Sequence, residues 1–465
     1  MFKSNVDLLR GNILKSLIIF AIPLFISNLF QQLYNTVDIM IVGNYLGDTS
    51  LAAIGSCAAV YELLIGFSLG VGNGLSIVTA RGYGSNDEDL VKRSVAGSLV
   101  IGVGIAVIIM IISGLLLYPL LELVNTPANI IEETYSYISV IGMFIGVTFL
   151  YNLCSGFLRA TGNSMMPLVF LIIASILNIG LDILFITQFN MGIRGAAVAT
   201  VIAQGISGIL CILYIYFKCP ILIPKKEHFK VSKELYKDLL GQGLSMGVMI
   251  LIVSVGTVIL QTAINGFGNL IIAGHTAARK IGSFAMIPIS SLAISLSTFV
   301  SQNKGANQGY RIRKAVYYSN LMSIIWGCIL VVSLILVAPI LVKFLTGSSE
   351  EILINTGVKY VVINAPFYAV LGILLNLRNA LQGIGEKVLP LISSIIEFVG
   401  KIIFVAVFIP MLQYLGVIIS EPVIWCFMCA QLAYAFYRNP YIKENKVEKT
   451  EEENLERIMY IIINN

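Results

Sequence analysis

Long apolar stretches, separated by short polar intervals, recur along nearly the whole chain. A helix of roughly 20 residues crosses about 30 Å of hydrocarbon, and the pattern predicts about twelve such spans. The first half gives 16–43, 51–79, 95–118, 133–157, 166–187 and 193–217. The second gives 241–265, 275–300, 316–345, 354–377, 389–409 and 413–437. Lipid offers no water to backbone N–H and C=O groups, and the alternation of a membrane barrel is absent, so the spans are read as helices. The expected fold class is an all-α integral membrane protein.

Composition agrees. Of 465 residues, 57% are hydrophobic and 12% charged, with a mean hydropathy of +0.89, more apolar surface than one soluble core can bury. Charge adds an orientation. Arg10, Lys15, Arg81, Lys92, Arg93 and the basic residues of 218–230 and 304–314 fall on one side of this layout, with Arg194 and Lys343 as mild exceptions. That side is read as cytoplasmic, with both termini inside. The net charge of +5 is therefore a topology signal, and no basic cluster argues for a nucleic-acid partner. The first apolar stretch is too long for a signal-peptide core and is read as the first membrane helix. Seven scattered Cys residues fit packing units, and the CxxC of Cys426 and Cys429 lies within an apolar helix.

The chain reads as two related halves. Asn44, Gly47, Ala52, Gly84 and Asn86 recur 221 residues later as Asn265, Gly268, Ala273, Gly305 and Asn307, and Gly162 and Pro167 match Gly385 and Pro390. Six spans separate the copies, an even number, so the repeat is parallel and predicts two pseudo-symmetric six-helix lobes, as in a secondary transporter. The organisation is a lobe at 1–217, a cytoplasmic linker at 218–240, a lobe at 241–438 and a charged cytoplasmic tail at 439–465.

Polar residues inside the spans carry the candidate chemistry. Asp38 stands alone as a charge within 27–42. A charged side chain at a bilayer centre costs roughly 2.5–3.5 kcal/mol on insertion scales, so it faces a bundle interior or watery cavity and has a partner. The expected partner is Asp182. Gln31, Tyr34, Asn35 and Asp38 recur at intervals of three and four and share one helical face, as do Asn178 and Asp182, and Thr200 adds a hydroxyl. Two carboxylates, an amide and a hydroxyl offer hard oxygen ligands for Na+, or hold a proton. A carboxyl buried beside another keeps its proton more readily than one in water. The plain alternative is a buried hydrogen-bonded network that only ties helices together. Pro23 lies upstream on the same helix and is expected to kink it, as a gating element or a packing feature.

The second half carries different polar residues. Ile259 stands at the Asp38 position and Lys401 at the Asn178 position. Glu397 and Lys401, one turn apart, are expected to form an internal ion pair, and His275, Arg279 and Lys280, near a helix start, are expected at the interface. No nucleophile, metal cluster or cofactor motif at convincing spacing points to an enzyme, and Gly70, Gly72 and Gly74 are read as packing glycines.

The run Gln31-Gln32-Leu33-Tyr34-Asn35-Thr36-Val37-Asp38, with Gly43-Asn44-Tyr45-Leu46-Gly47 and the Gly84-Ser85-Asn86 turn, resembles the multidrug and toxic compound extrusion (MATE) family. Arg159 to Asn163 before Pro167 and Gln302 to Ala306 extend the likeness over almost the whole chain. The resemblance implies twelve helices in two lobes and export of amphipathic, often cationic compounds in exchange for H+ or Na+ at the cell membrane; the sequence itself points to no cofactor beyond the coupling ion and to no protein partner. The resemblance also implies that Asp38, Asn178, Asp182 and Thr200 form the amino-terminal-lobe cation site of DinF-like members, and that Gln31, Asn152 and Ser155 line the substrate cavity. Tyr34 and Asn35, on the face shared with Gln31 and Asp38, join that substrate set. NorM-like members also carry acids on the seventh and tenth helices, where this chain has none. The rival reading is a lipid-linked oligosaccharide flippase of the same superfamily, with a strongly basic cavity for pyrophosphate. A passive channel is a further alternative.

Overall fold

The computed structural model of the chain describes residues 5–124 and 126–443. The tail from 444 onward, expected in the cytoplasm, lies outside the described residues.

Helices occupy almost everything described. In the first half they are α1 (Ile13–Leu46), α2 (Asp48–Gly84), α3 (Glu88–Leu123), α4 (Ile131–Met143), α5 (Ile145–Ala160), α6 (Met165–Thr187) and α7 (Ile193–Lys218). After two short 3-10 turns come α8 (Lys233–Asn265), α9 (Asn269–Gly305), α10 (Gly309–Thr346), α11 (Glu351–Asn364), α12 (Tyr368–Ile384), α13 (Val388–Ile403), α14 (Ile409–Leu412) and α15 (Tyr414–Arg438). Eleven helices among the described residues are long and apolar enough to cross a membrane, and a twelfth if α4 and α5, bent by 48° at their junction, form one span. Every span expected from the sequence falls on one of these, to within a residue. Several run 34–38 residues, well beyond the roughly 20 that hydrocarbon requires.

By contacts the chain groups into two units, Met1–Val6 with Ile19–Val258, and Asp7–Ile18 with Ile259–Asn465. Each unit repeats one packing scheme. In the first, α2 packs on α3, α4 and α5, α3 on α4 and α5, and α7 on α4, α5 and α6. In the second, α9 packs on α10, α11 and α12, α10 on α11 and α12, and α15 on α11, α12 and α13. The backbone repeats too. Gly47 and Gly268 have φ of 84° and 90°, Asn86 and Asn307 56° and 54°, Gly162 and Gly385 87° and 107°. This is left-handed space, where a Cβ clashes and only Gly, and less often Asn, is at ease. The paired residues noticed in the sequence therefore mark the same chain reversals in each copy.

Lipid is as apolar as a leucine side chain, so helices associate in it through close packing. Glycines permit this in the first unit. A Cβ on Gly74 would stand 2.4 Å from Gln242 O, and one on Gly70 2.8 Å from Met246 O, so α2 and α8 touch backbone to backbone. Gly72 faces Asn152 on α5. The Arg81 guanidinium donates to Asp238 Oδ2 at 2.7 Å, tying the end of α2 to the start of α8. α8 thus begins at Lys233, within the interval read as linker, and its first turns pack with the first unit.

Candidate functional site

The expected ion-site residues come together in the first unit, on α1, α6 and α7. Asp38 is 8% exposed, Asn178 and Asp182 0%, and Thr200 3%. Spacing explains the approach. Asn178 and Asp182 lie one turn apart on α6, and α6 packs along α7, which carries Thr200. In the amide orientation that satisfies both ends, Asn178 Nδ2 donates to Asp182 Oδ2 at 3.2 Å and Asn178 Oδ1 accepts from the Thr200 N–H at 3.1 Å. The Tyr34 hydroxyl donates to Thr200 Oγ1 at 3.4 Å, joining α1 to the same network.

The Asp38 and Asp182 carboxyl groups are neighbours, near enough to interact. The buried Oδ1 of each has no donor from any other described group. An ionised carboxylate only accepts hydrogen bonds, so two carboxyls bond to one another only when one carries a proton.

A cavity of about 180 Å³ opens beside the pair, lined by Tyr34, Asn35, Asp38, Tyr61, Tyr137 and Thr200 together with apolar side chains of α1 and α2. An apolar cluster including Ile41, Val42, Val60, Ile138, Ile186 and Ala197 packs around this end of the unit. Of the expected substrate set, Tyr34 and Asn35 line the cavity, whereas Gln31, Asn152 and Ser155 do not. Gln31 is exposed on α1, Asn152 packs against Gly72, and Ser155 is buried beside Tyr151 and Cys211.

In the second unit the Glu397–Lys401 ion pair forms as expected, at 2.9 Å. His275 and Arg279 lie on α9. α9 begins at Asn269, so both lie a turn or more inside it, and His275 is 1% exposed with Nδ1 at 3.1 Å from the Tyr414 hydroxyl. Arg279 pairs at 3.6 Å with Glu421, whose Oε2 accepts from the Tyr360 hydroxyl at 2.9 Å. The sequence reading passed over Glu421. Its signal was present, an acid inside the apolar span 413–437 that by the logic applied to Asp38 calls for a partner.

Comparisons with known proteins agree with this architecture. The MatE family profile matches residues 23–184 and again 245–407, once in each half. "Probable multidrug resistance protein YoeA" of Bacillus subtilis (strain 168) is 27% identical over 440 residues, covering 92% of this chain and 94% of that protein. "Multidrug export protein MepA" of Staphylococcus aureus (strain MW2) is 22% identical over 428 residues, covering 91% and 92%. In fold, the chain is similar to a crystal structure of MATE in the bent conformation, with a TM-score of 0.86 at 23% identity over 95% of this chain and 99% of that one. It is likewise similar to an outward-facing multidrug resistance MATE family transporter of the MOP superfamily, with a TM-score of 0.85 at 24% identity over 96% and 99%. Matched by the same profile in both halves, the chain belongs to the MatE family of multi-pass membrane transporters.

Proposed function

We propose that this chain exports amphipathic, often cationic organic compounds across the cell membrane, exchanging them for protons at Asp38 and Asp182 as its halves alternate in access. The names of the relatives support drug efflux. The observation that carries the coupling is the meeting of two buried carboxyl groups beside a cavity lined by tyrosines. Two carboxyls held near each other in apolar surroundings repel when both are ionised, so one keeps a proton more readily, and we take H+ rather than Na+ as the coupling ion. In this reading the pair with one shared proton carries a single negative charge and lets the site close. Loss of the proton leaves like charges in apolar surroundings, which are relieved when a cation arrives. Asn178 and Thr200 hold Asp182 in place, while Tyr34 and Asn35 meet the substrate. A cation also suits an acidic, aromatic-walled cavity better than the pyrophosphate of a lipid-linked sugar does, so a flippase is the weaker reading.

Reconstituted in liposomes, the protein should move ethidium against its gradient when a pH gradient is imposed, with acid on the side the dye is driven towards. A Na+ gradient alone should leave the dye where it is. Asp38→Asn should abolish the gradient-driven component. Movement indifferent to both gradients and to the mutation would shift the account to a channel or flippase.

A further inference from the structure

The second unit holds a cavity of its own, of about 330 Å³, lined among others by Arg279, Tyr360, Tyr368, Glu421 and Trp425. It occupies the same place in the repeat as the cavity beside Asp38. By the 221-residue offset that relates Gly47 to Gly268, Ala58 and Tyr61 of the first cavity correspond to Arg279 and Gly282 of the second. By the 223-residue offset that relates Gly162 to Gly385, Tyr137 corresponds to Tyr360. The shared tyrosine remains and the charges are replaced. Asp38 and Asp182 are matched by Ile259 and Val405, while Arg279 and Glu421 stand where the first half has Ala58 and Val198.

A cation and an anion therefore face one cavity, paired with each other at 3.6 Å. Glu421 is fixed from behind by the Tyr360 hydroxyl. Lys401 and His275 lie close enough to act on it, and Lys401 is balanced by Glu397. Tyr368 and Trp425 lie 6.2 Å apart between ring centroids with their planes tilted by 36°, and give the cavity an aromatic wall. A purely cationic guest would meet Arg279 and a purely anionic one Glu421, so either would leave one like charge against it. A guest bearing both charges satisfies both.

We infer that the carboxy-terminal cavity is a second binding site, selective for aromatic zwitterions, in which Arg279 takes the guest carboxylate, Glu421 its ammonium and Trp425 its ring. The site is independent of Asp38 and Asp182 and stands whether or not they couple transport to protons.

Trp425 reports on it directly. The full-length protein in lipid nanodiscs is titrated with 4-nitro-L-phenylalanine, whose nitrophenyl ring quenches tryptophan on contact, and with its single-charge analogues 4-nitrophenethylamine and 3-(4-nitrophenyl)propionate. The zwitterion should quench saturably and bind about tenfold or more tighter than either analogue, as expected for one additional good charge contact. The quench should vanish in Trp425→Phe. Glu421→Gln should cost the zwitterion about tenfold and leave the propionate analogue unchanged or tighter. Equal binding of all three compounds to the wild type, or a quench that survives Trp425→Phe, would overturn the inference. The wild-type series decides this even where a variant fails to fold.

Discussion

Asp38 and Asp182 are kept in apolar surroundings, and the groups around them make that tenable. Asn178 bonds to Asp182 and to the Thr200 backbone, and Tyr34 bonds to the Thr200 hydroxyl. Neutral Asn keeps the shape of Asp but cannot release a proton, so Asp182→Asn should abolish gradient-driven export as completely as Asp38→Asn while leaving expression intact. Thr200→Ala keeps the backbone N–H that Asn178 uses and removes only the acceptor for Tyr34. The loss of one neutral hydrogen bond, about 1 kcal/mol, should lower the initial export rate about fivefold. At this scale the sequence was informative where a charge had no business in lipid, because the cost of burial itself demands a partner. It was silent on Tyr61 and Tyr137, which line the cavity yet read in sequence as ordinary aromatic residues of apolar spans. Arg279 read in sequence only as a basic residue near a helix start. Its partner Glu421 lies on the last span, and no local pattern reveals that pairing.

Among the helices, the apolar lengths alone located the spans, since crossing hydrocarbon is a matter of counting residues. The backbone contact between α2 and α8 is another matter. It depends on which face of each helix carries the glycines, and Gly70 and Gly74 gained their meaning only with Gln242 and Met246 opposite them. Gly74→Val should force α2 away from Gln242 O and destabilise the protein by about 1–3 kcal/mol. Gly104→Ala on α3, where an added Cβ meets nothing within 4 Å, should leave stability unchanged or slightly raised. Thermal unfolding of the two variants in detergent separates these outcomes.

For the molecule as a whole, duplication and divergence are the main theme. Each half keeps the same chain reversals and the same order of helix packing, and each encloses a cavity with a tyrosine at a matching position. The repeat was legible because a left-handed chain reversal calls for glycine or asparagine, whereas many apolar side chains serve equally well against lipid. The divergence was legible as a missing acid and as Lys401 at the Asn178 position, while Arg279 and Glu421 stand where the first half has no charge. The central claim is that a bound organic cation is exchanged for protons held between Asp38 and Asp182, and proton release tests it most directly. Purified full-length protein in weakly buffered solution is mixed with ethidium while a pH dye reports free protons. About one proton should appear per cation bound, and none from Asp38→Asn or Asp182→Asn protein that still binds the dye. Binding without proton release in the wild type, or release that persists in both variants, would contradict the account.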